Sequence, residues 1–134
     1  MPAPSYSDVI RSMIDRENDL INHRITWLTT IQGLLFASLG FAWDKHQTTV
    51  LIFVFCCLGI AISIIQLVAL ISATRAICGL SEWWEAHKPN DYFGPGVTGR
   101  SPAKNSLFRY LVFWNWIPLL FIVTWAIILY VRAS

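Results

Sequence analysis

The segment VLIFVFCCLGIAISIIQLVALISA, residues 50–73, runs for twenty-four positions without a charged side chain. At 1.5 Å per residue a helix of that length is about 36 Å long, more than the ~30 Å hydrocarbon core of a bilayer. Fifteen of its residues are Leu, Ile, Val or Phe. At roughly −0.3 to −0.6 kcal/mol each they favour insertion by about 5 to 9 kcal/mol at most, which outweighs the cost of the single Gln66. The segment reads as a membrane span, and the rest of the chain is arranged around it.

Two further apolar runs flank it, at residues 25–43 and 111–131. Ahead of the first, residues 7–24 place Val9/Ile10, Met13/Ile14 and Leu20/Ile21 on a helical repeat, with Asp15, Arg16, Glu17, Asn18 and Asp19 between them. That is an amphipathic helix, and its charge is too acidic for an anchor on an anionic bilayer, so packing against another helix is expected. Ser5 or Ser7 can cap it, and Asp8 stands favourably in its first turn. No breaker separates it from the run at 25–43, so one helix of residues 7–43 is expected, with Trp27 and Trp43 near its two interfaces. Residues 44–49 form a short polar turn. Beyond residue 73 the central helix can continue to Lys88, before Pro89 stops it. The rest of 74–110 is a Gly/Pro loop, and the third span, 111–131, is expected to begin as a helix before Pro118.

These features describe one all-α membrane domain over residues 1–134: three transmembrane helices and an N-terminal amphipathic helical extension. The composition agrees, with 55% hydrophobic residues and a mean hydropathy of +0.52. A net charge of +2, with its positives dispersed, argues against nucleic-acid binding. Cys56, Cys57 and Cys78 have no metal-ligand spacing and no even disulfide framework, and read as small buried hydrophobes. The N-terminus lacks the apolar stretch of a secretory signal and is too acidic for a transit peptide, so it is expected to stay on the mature chain. Eight basic residues lie in the N-terminal segment and second loop (Arg11, Arg16, Arg24, Arg75, Lys88, Arg100, Lys104, Arg109), against Lys45 and Arg132 elsewhere. The positive-inside rule then places the N-terminus and long loop in the cytoplasm and the C-terminus outside.

Catalytic patterns are weak. Residues 94–101, GPGVTGRS, differ from a phosphate-binding loop by Arg100 in place of lysine, and lack the strand and helix that make such a loop work. His23, His46 and His87 are too dispersed for a metal site. Glu82, Glu85, His87 and Arg75 could converge at the interface as in a lipid enzyme, but read more simply as a solvated helix face. The expectation is a non-enzyme without cofactors.

The informative pattern is a spacing of small and weakly polar residues. Thr26, Thr30, Gly33, Ala37 and Gly40 recur at intervals of four and three, and the same face carries Arg16, Asp19 and His23 upstream. In the central span Cys56, Gly59, Ser63, Gln66 and Ala73 follow a similar track. Such residues let transmembrane helices approach closely and hydrogen bond across the contact, and they can also line a pore. Three spans bury little surface in one subunit, so a leftover small-residue face favours a homo-oligomer.

The stretch NHRITWLTTIQGLLFA, residues 22–37, resembles the start of the first span in short bacterial inner-membrane proteins of uncharacterised function. The likeness implies a bacterial inner membrane and no particular activity. The expectation from all this is a small homo-oligomeric channel in contact with membrane lipids. Thr26, Thr30, Gly33, Ala37, Gly40, Gly59, Ser63 and Gln66 are its pore-lining or packing candidates, and Arg16, Asp19 and His23 stand at its cytoplasmic mouth. The alternative is a non-conducting adaptor that recruits a cytoplasmic protein partner through its extension and the Trp83-Trp84 segment.

Overall fold

A computed structural model describes residues 5–44, 49–94, 96–97 and 113–134. Among the described residues it is all-helical, with three helices: α1 (Tyr6–Ala42), α2 (Thr49–His87) and α3 (Phe113–Ala133). All three are long and apolar enough to cross a membrane. Most of the Gly/Pro loop, including Arg100, Lys104 and Arg109, lies outside the described residues, as do Lys45, His46 and the expected start of the third span at residue 111.

Each helix follows from its sequence. Ser5 caps α1 in an extended conformation (ψ 151°), accepting from the backbone N–H of Asp8, and its hydroxyl donates to the Asp8 carboxylate at 2.6 Å. This satisfies one of the free donors of the first turn. α1 is one unbroken helix of 37 residues, about 55 Å long. α2 has 39 residues, about 58 Å, and ends two residues before Pro89. α3 has 21 residues, about 31 Å, and contains Pro118 within the helix. The helix therefore does begin before the proline, whose missing N–H leaves the Trp114 carbonyl without its usual partner one turn back.

α2 is the middle helix and packs extensively on both neighbours, while α1 and α3 touch each other at few points. α1 and α3 run parallel to each other and antiparallel to α2. Arg132, near the end of α3, lies over the Trp43 ring just past the end of α1, 5.6 Å from its centroid.

Three clusters make the core. Leu39, Ala42, Ile52, Cys56 and Trp125 pack near the hairpin end, against Phe36, Phe55 and Phe121 among others. Ile21, Leu70 and Ala73 form a middle layer with Ile25 and Trp114. Ile10, Ile14 and Trp84 form the third, with Ile77, Leu80, Tyr92 and Val97. The helix partner of the amphipathic segment is therefore the extension of α2. Both helices outrun a ~30 Å bilayer core at the same end, and together they form a two-helix stalk with its own hydrophobic seam.

Only 22% of the apolar windows of α1 and α2, and 11% of that of α3, is buried inside the subunit. The remainder, including Leu34, Ile65, Val68 and Ile127, faces outward and is suited to lipid contact. Cys56 is buried and Cys78 half-buried, but Cys57 is exposed on the apolar surface rather than packed inside.

Candidate functional site

The most ordered polar chemistry lies inside the bundle. Gln32 of α1 is completely buried. Its Nε2 donates to the Gly59 carbonyl at 3.0 Å and the Ser63 hydroxyl oxygen at 2.9 Å, both on α2. Its Oε1 accepts from the Trp125 indole N–H of α3 at 2.6 Å. Ser63 in turn donates to the Gly59 carbonyl at 2.8 Å. One amide thus joins three helices, using both N–H directions and the carbonyl oxygen.

The surrounding sequence makes that geometry possible. A Cβ at Gly59 would run into the Trp125 ring, so only glycine admits the indole against α2. The other face of the indole stacks on Phe36, with ring centroids 4.5 Å apart and planes 3° from parallel. The polar edge of Trp125 meets Gln32 while its faces stay in hydrocarbon, which lets a large amphipathic side chain lie deep in the bundle. Every polar side-chain group of the Gln32 amide, the Ser63 hydroxyl and the Trp125 indole is paired, as a low-dielectric interior requires.

A second junction stands nearer the stalk. Trp114 of α3 donates its indole N–H to Thr74 at 3.2 Å, and Thr74 donates to the Leu70 carbonyl at 2.9 Å. Arg24 of α1 donates from Nη1 to the Ala69 carbonyl of α2 at 3.1 Å. On the stalk, Arg11 donates to the Tyr92 hydroxyl at 2.9 Å, and the Tyr92 ring meets Trp84 edge-on at 5.1 Å.

The small-residue tracks separate. On α2, Gly59 and Ser63 are buried and belong to the Gln32 junction. They are helix-packing residues and line no channel within the subunit. Gln66 is half-buried, and its Oε1 is enclosed without a hydrogen-bond partner among the described residues. On α1, Thr26, Thr30, Gly33, Ala37 and Gly40 are all exposed. They lie opposite the face that carries Leu28, Gln32 and Leu39, and nothing lies within 4 Å of a Cβ placed on Gly33 or Gly40. The hydroxyls of Thr26 and Thr30 bond back to the carbonyls of Asn22 and Thr26, each at 2.9 Å, which hides their donors. The stripe is therefore not a seam inside the subunit. Arg16, Asp19 and His23 continue it outward on the exposed side of the stalk.

Gln32, Trp125 and Phe36 did not stand out from spacing alone. The signal available was positional: a glutamine in the first apolar run and a tryptophan in the middle of the third, where tryptophan ordinarily favours the interface. Neither residue indicates by itself that the other is its partner.

Glu85 pairs with Lys88 at 2.7 Å on the surface, and the His87 ring stacks on Trp83 with centroids 4.5 Å apart. Among the described residues no three His, Cys, Asp or Glu side chains gather as a metal site requires. Compared with known protein families, curated proteins and solved structures, the chain matches none.

Proposed function

We propose that this multi-pass membrane protein assembles with copies of itself into a small pore lined by α1. The observation that carries the proposal is the outward position of Thr26, Thr30, Gly33, Ala37 and Gly40, opposite the packed face of α1 and continuous with Arg16, Asp19 and His23. Gln32 bonds to both α2 and α3 across the subunit interior, which supports a conduction path between subunits rather than through one. A ring of α1 helices would give a narrow lumen of threonine oxygens and exposed backbone, with charged residues gathering ions at one mouth. In this arrangement the protein sits in a bacterial inner membrane with its N-terminus and stalk in the cytoplasm and its C-terminus outside.

The test is single-cysteine substitution of the full chain in planar bilayers. Thr30→Cys, Gly33→Cys and Ala37→Cys in a Cys-free background are expected to lose conductance on modification by a charged thiol reagent, and Ser63→Cys is expected to be inert. Absence of conductance across salts and pH, in an oligomer whose axis is sealed, overturns the proposal.

A second function draws on the stalk. Its two helices meet in the Ile10, Ile14 and Trp84 seam, and Trp83 is left exposed beside His87. A non-conducting adaptor would use that surface to recruit a soluble partner. Deleting residues 7–19 would then abolish partner capture while leaving the spans inserted.

A further inference from the structure

The geometry points to a binding site for the phosphate of an anionic phospholipid, centred on Arg24 in the groove between α1 and α2. Arg24 stands where the first apolar run begins, one residue before Ile25, and is half-buried between the two helices. Among the described residues its hydrogen bond goes from Nη1 to the Ala69 carbonyl. That carbonyl orients the guanidinium but brings no negative charge. Among the described residues Arg24 makes no ion pair, and the pairing of Glu85 with Lys88 lies at the far end of the stalk. A partly desolvated arginine whose remaining N–H donors lack an anion is suited to a phosphate, which its fork can grip in two places.

Along the groove, on either side of the guanidinium, the two helices present apolar and small side chains. On α1, Leu20, Trp27 and Ile31 share the face of Arg24 at i−4, i+3 and i+7, and Trp27 is 63% exposed. On α2, Ile65 and Ser72 share the face of Ala69, and Ile65 is 66% exposed. Ser72 has spent its hydroxyl proton on the Val68 carbonyl at 2.9 Å, so this wall is small and offers no competing donor. The arrangement sets one cation at headgroup depth, an indole one turn deeper at the level such rings prefer, and apolar rows beneath for an acyl chain. The site depends on the helices being membrane spans and is independent of whether the protein conducts.

The test uses the full chain, delipidated in neutral detergent, with retention of added lipid measured by native mass spectrometry. Phosphatidylglycerol is expected to be retained at least about fivefold more strongly than phosphatidylcholine, and Arg24→Gln to remove most of that difference. Arg24→Lys should keep part of it. Ser72→Trp, which crowds the headgroup end of the groove while keeping Arg24, should also lower retention while helix content stays unchanged by circular dichroism. Inorganic phosphate at millimolar concentration should compete weakly, because it lacks the acyl chain. Equal retention of the two lipids by the parent chain, unchanged retention in Arg24→Gln or in Ser72→Trp, or full displacement by inorganic phosphate overturns the site.

Discussion

The indole N–H of Trp125 donates to the Gln32 amide oxygen at 2.6 Å, joining the last helix to the first across 93 residues of sequence. The same amide reaches Ser63 and Gly59 on α2, so one side chain is bonded to both of the other helices. In hydrocarbon an amide with any unpaired group is costly, and the packing that pairs all of Gln32 is therefore selected over sliding or rotated alternatives.

Gln32→Leu should destabilise the bundle by about 1–2 kcal/mol, because it strands the Trp125 N–H in a dry interior. Trp125→Phe should cost a similar or larger amount, since it also trims ring surface. A double-mutant cycle of the pair, read by reversible unfolding in detergent or bicelles, is expected to give a coupling of roughly 0.6 to 1.7 kcal/mol. A coupling of zero would mean that the bond contributes nothing to holding the helices.

Gln66→Leu should behave in the opposite way. Its enclosed Oε1 has no partner among the described residues, so replacing the amide with an alkyl group removes an uncompensated polar atom. Stability should be unchanged or rise by up to about 1–3 kcal/mol. A clear loss of stability would show that Gln66 has a bonded partner in the working assembly.

The glycines divide by position. Gly59→Ala forces a Cβ into the Trp125 ring and should cost about 1–3 kcal/mol through overpacking. Gly33→Ala and Gly40→Ala meet open space and should leave the fold of the subunit within about 0.5 kcal/mol of the parent. Gly33→Leu separates the fold from the assembly. In a homo-oligomer packed or lined by this stripe, it should change the species seen by crosslinking without altering the unfolding of the subunit.

Ile14→Asp places a charge in the seam between Ile10 and Trp84 and should open the stalk while leaving the spans intact. Limited trypsin digestion should then cut at Arg11 and Arg16 many times faster than in the parent, with residues 25–43 still protected by detergent. Equal digestion rates would show that the two extensions are not held together by this seam.

Much of this architecture was legible from one-dimensional patterns because it rests on local or averaged quantities. Uncharged run length reports on spans, Ser5 with Asp8 reports on a helix start, and Pro89 marks where α2 must stop. The continuity of α1 through residue 24 followed from the lack of any breaker, and the run of α2 beyond residue 73 from the same argument. Spacing also placed Gly59 and Ser63 on one face of α2, but the same spacing on α1 marks an exposed stripe, so spacing alone does not separate packing from lining.

Spacing could not say which face of α1 turns inward. Two stripes were available on that helix, the small one through Gly33 and the one through Leu28, Gln32 and Leu39, and both are compatible with packing when α1 is considered alone. The tertiary structure decided for the second, because only there can a buried amide find an indole on α3, a hydroxyl on α2 and a carbonyl laid bare by a glycine. A run of uncharged residues determines that a helix enters a membrane, since transfer free energy sums along the chain regardless of neighbours. Which face meets protein and which meets lipid is decided by groups far apart in sequence that satisfy one another only when all three helices are in place.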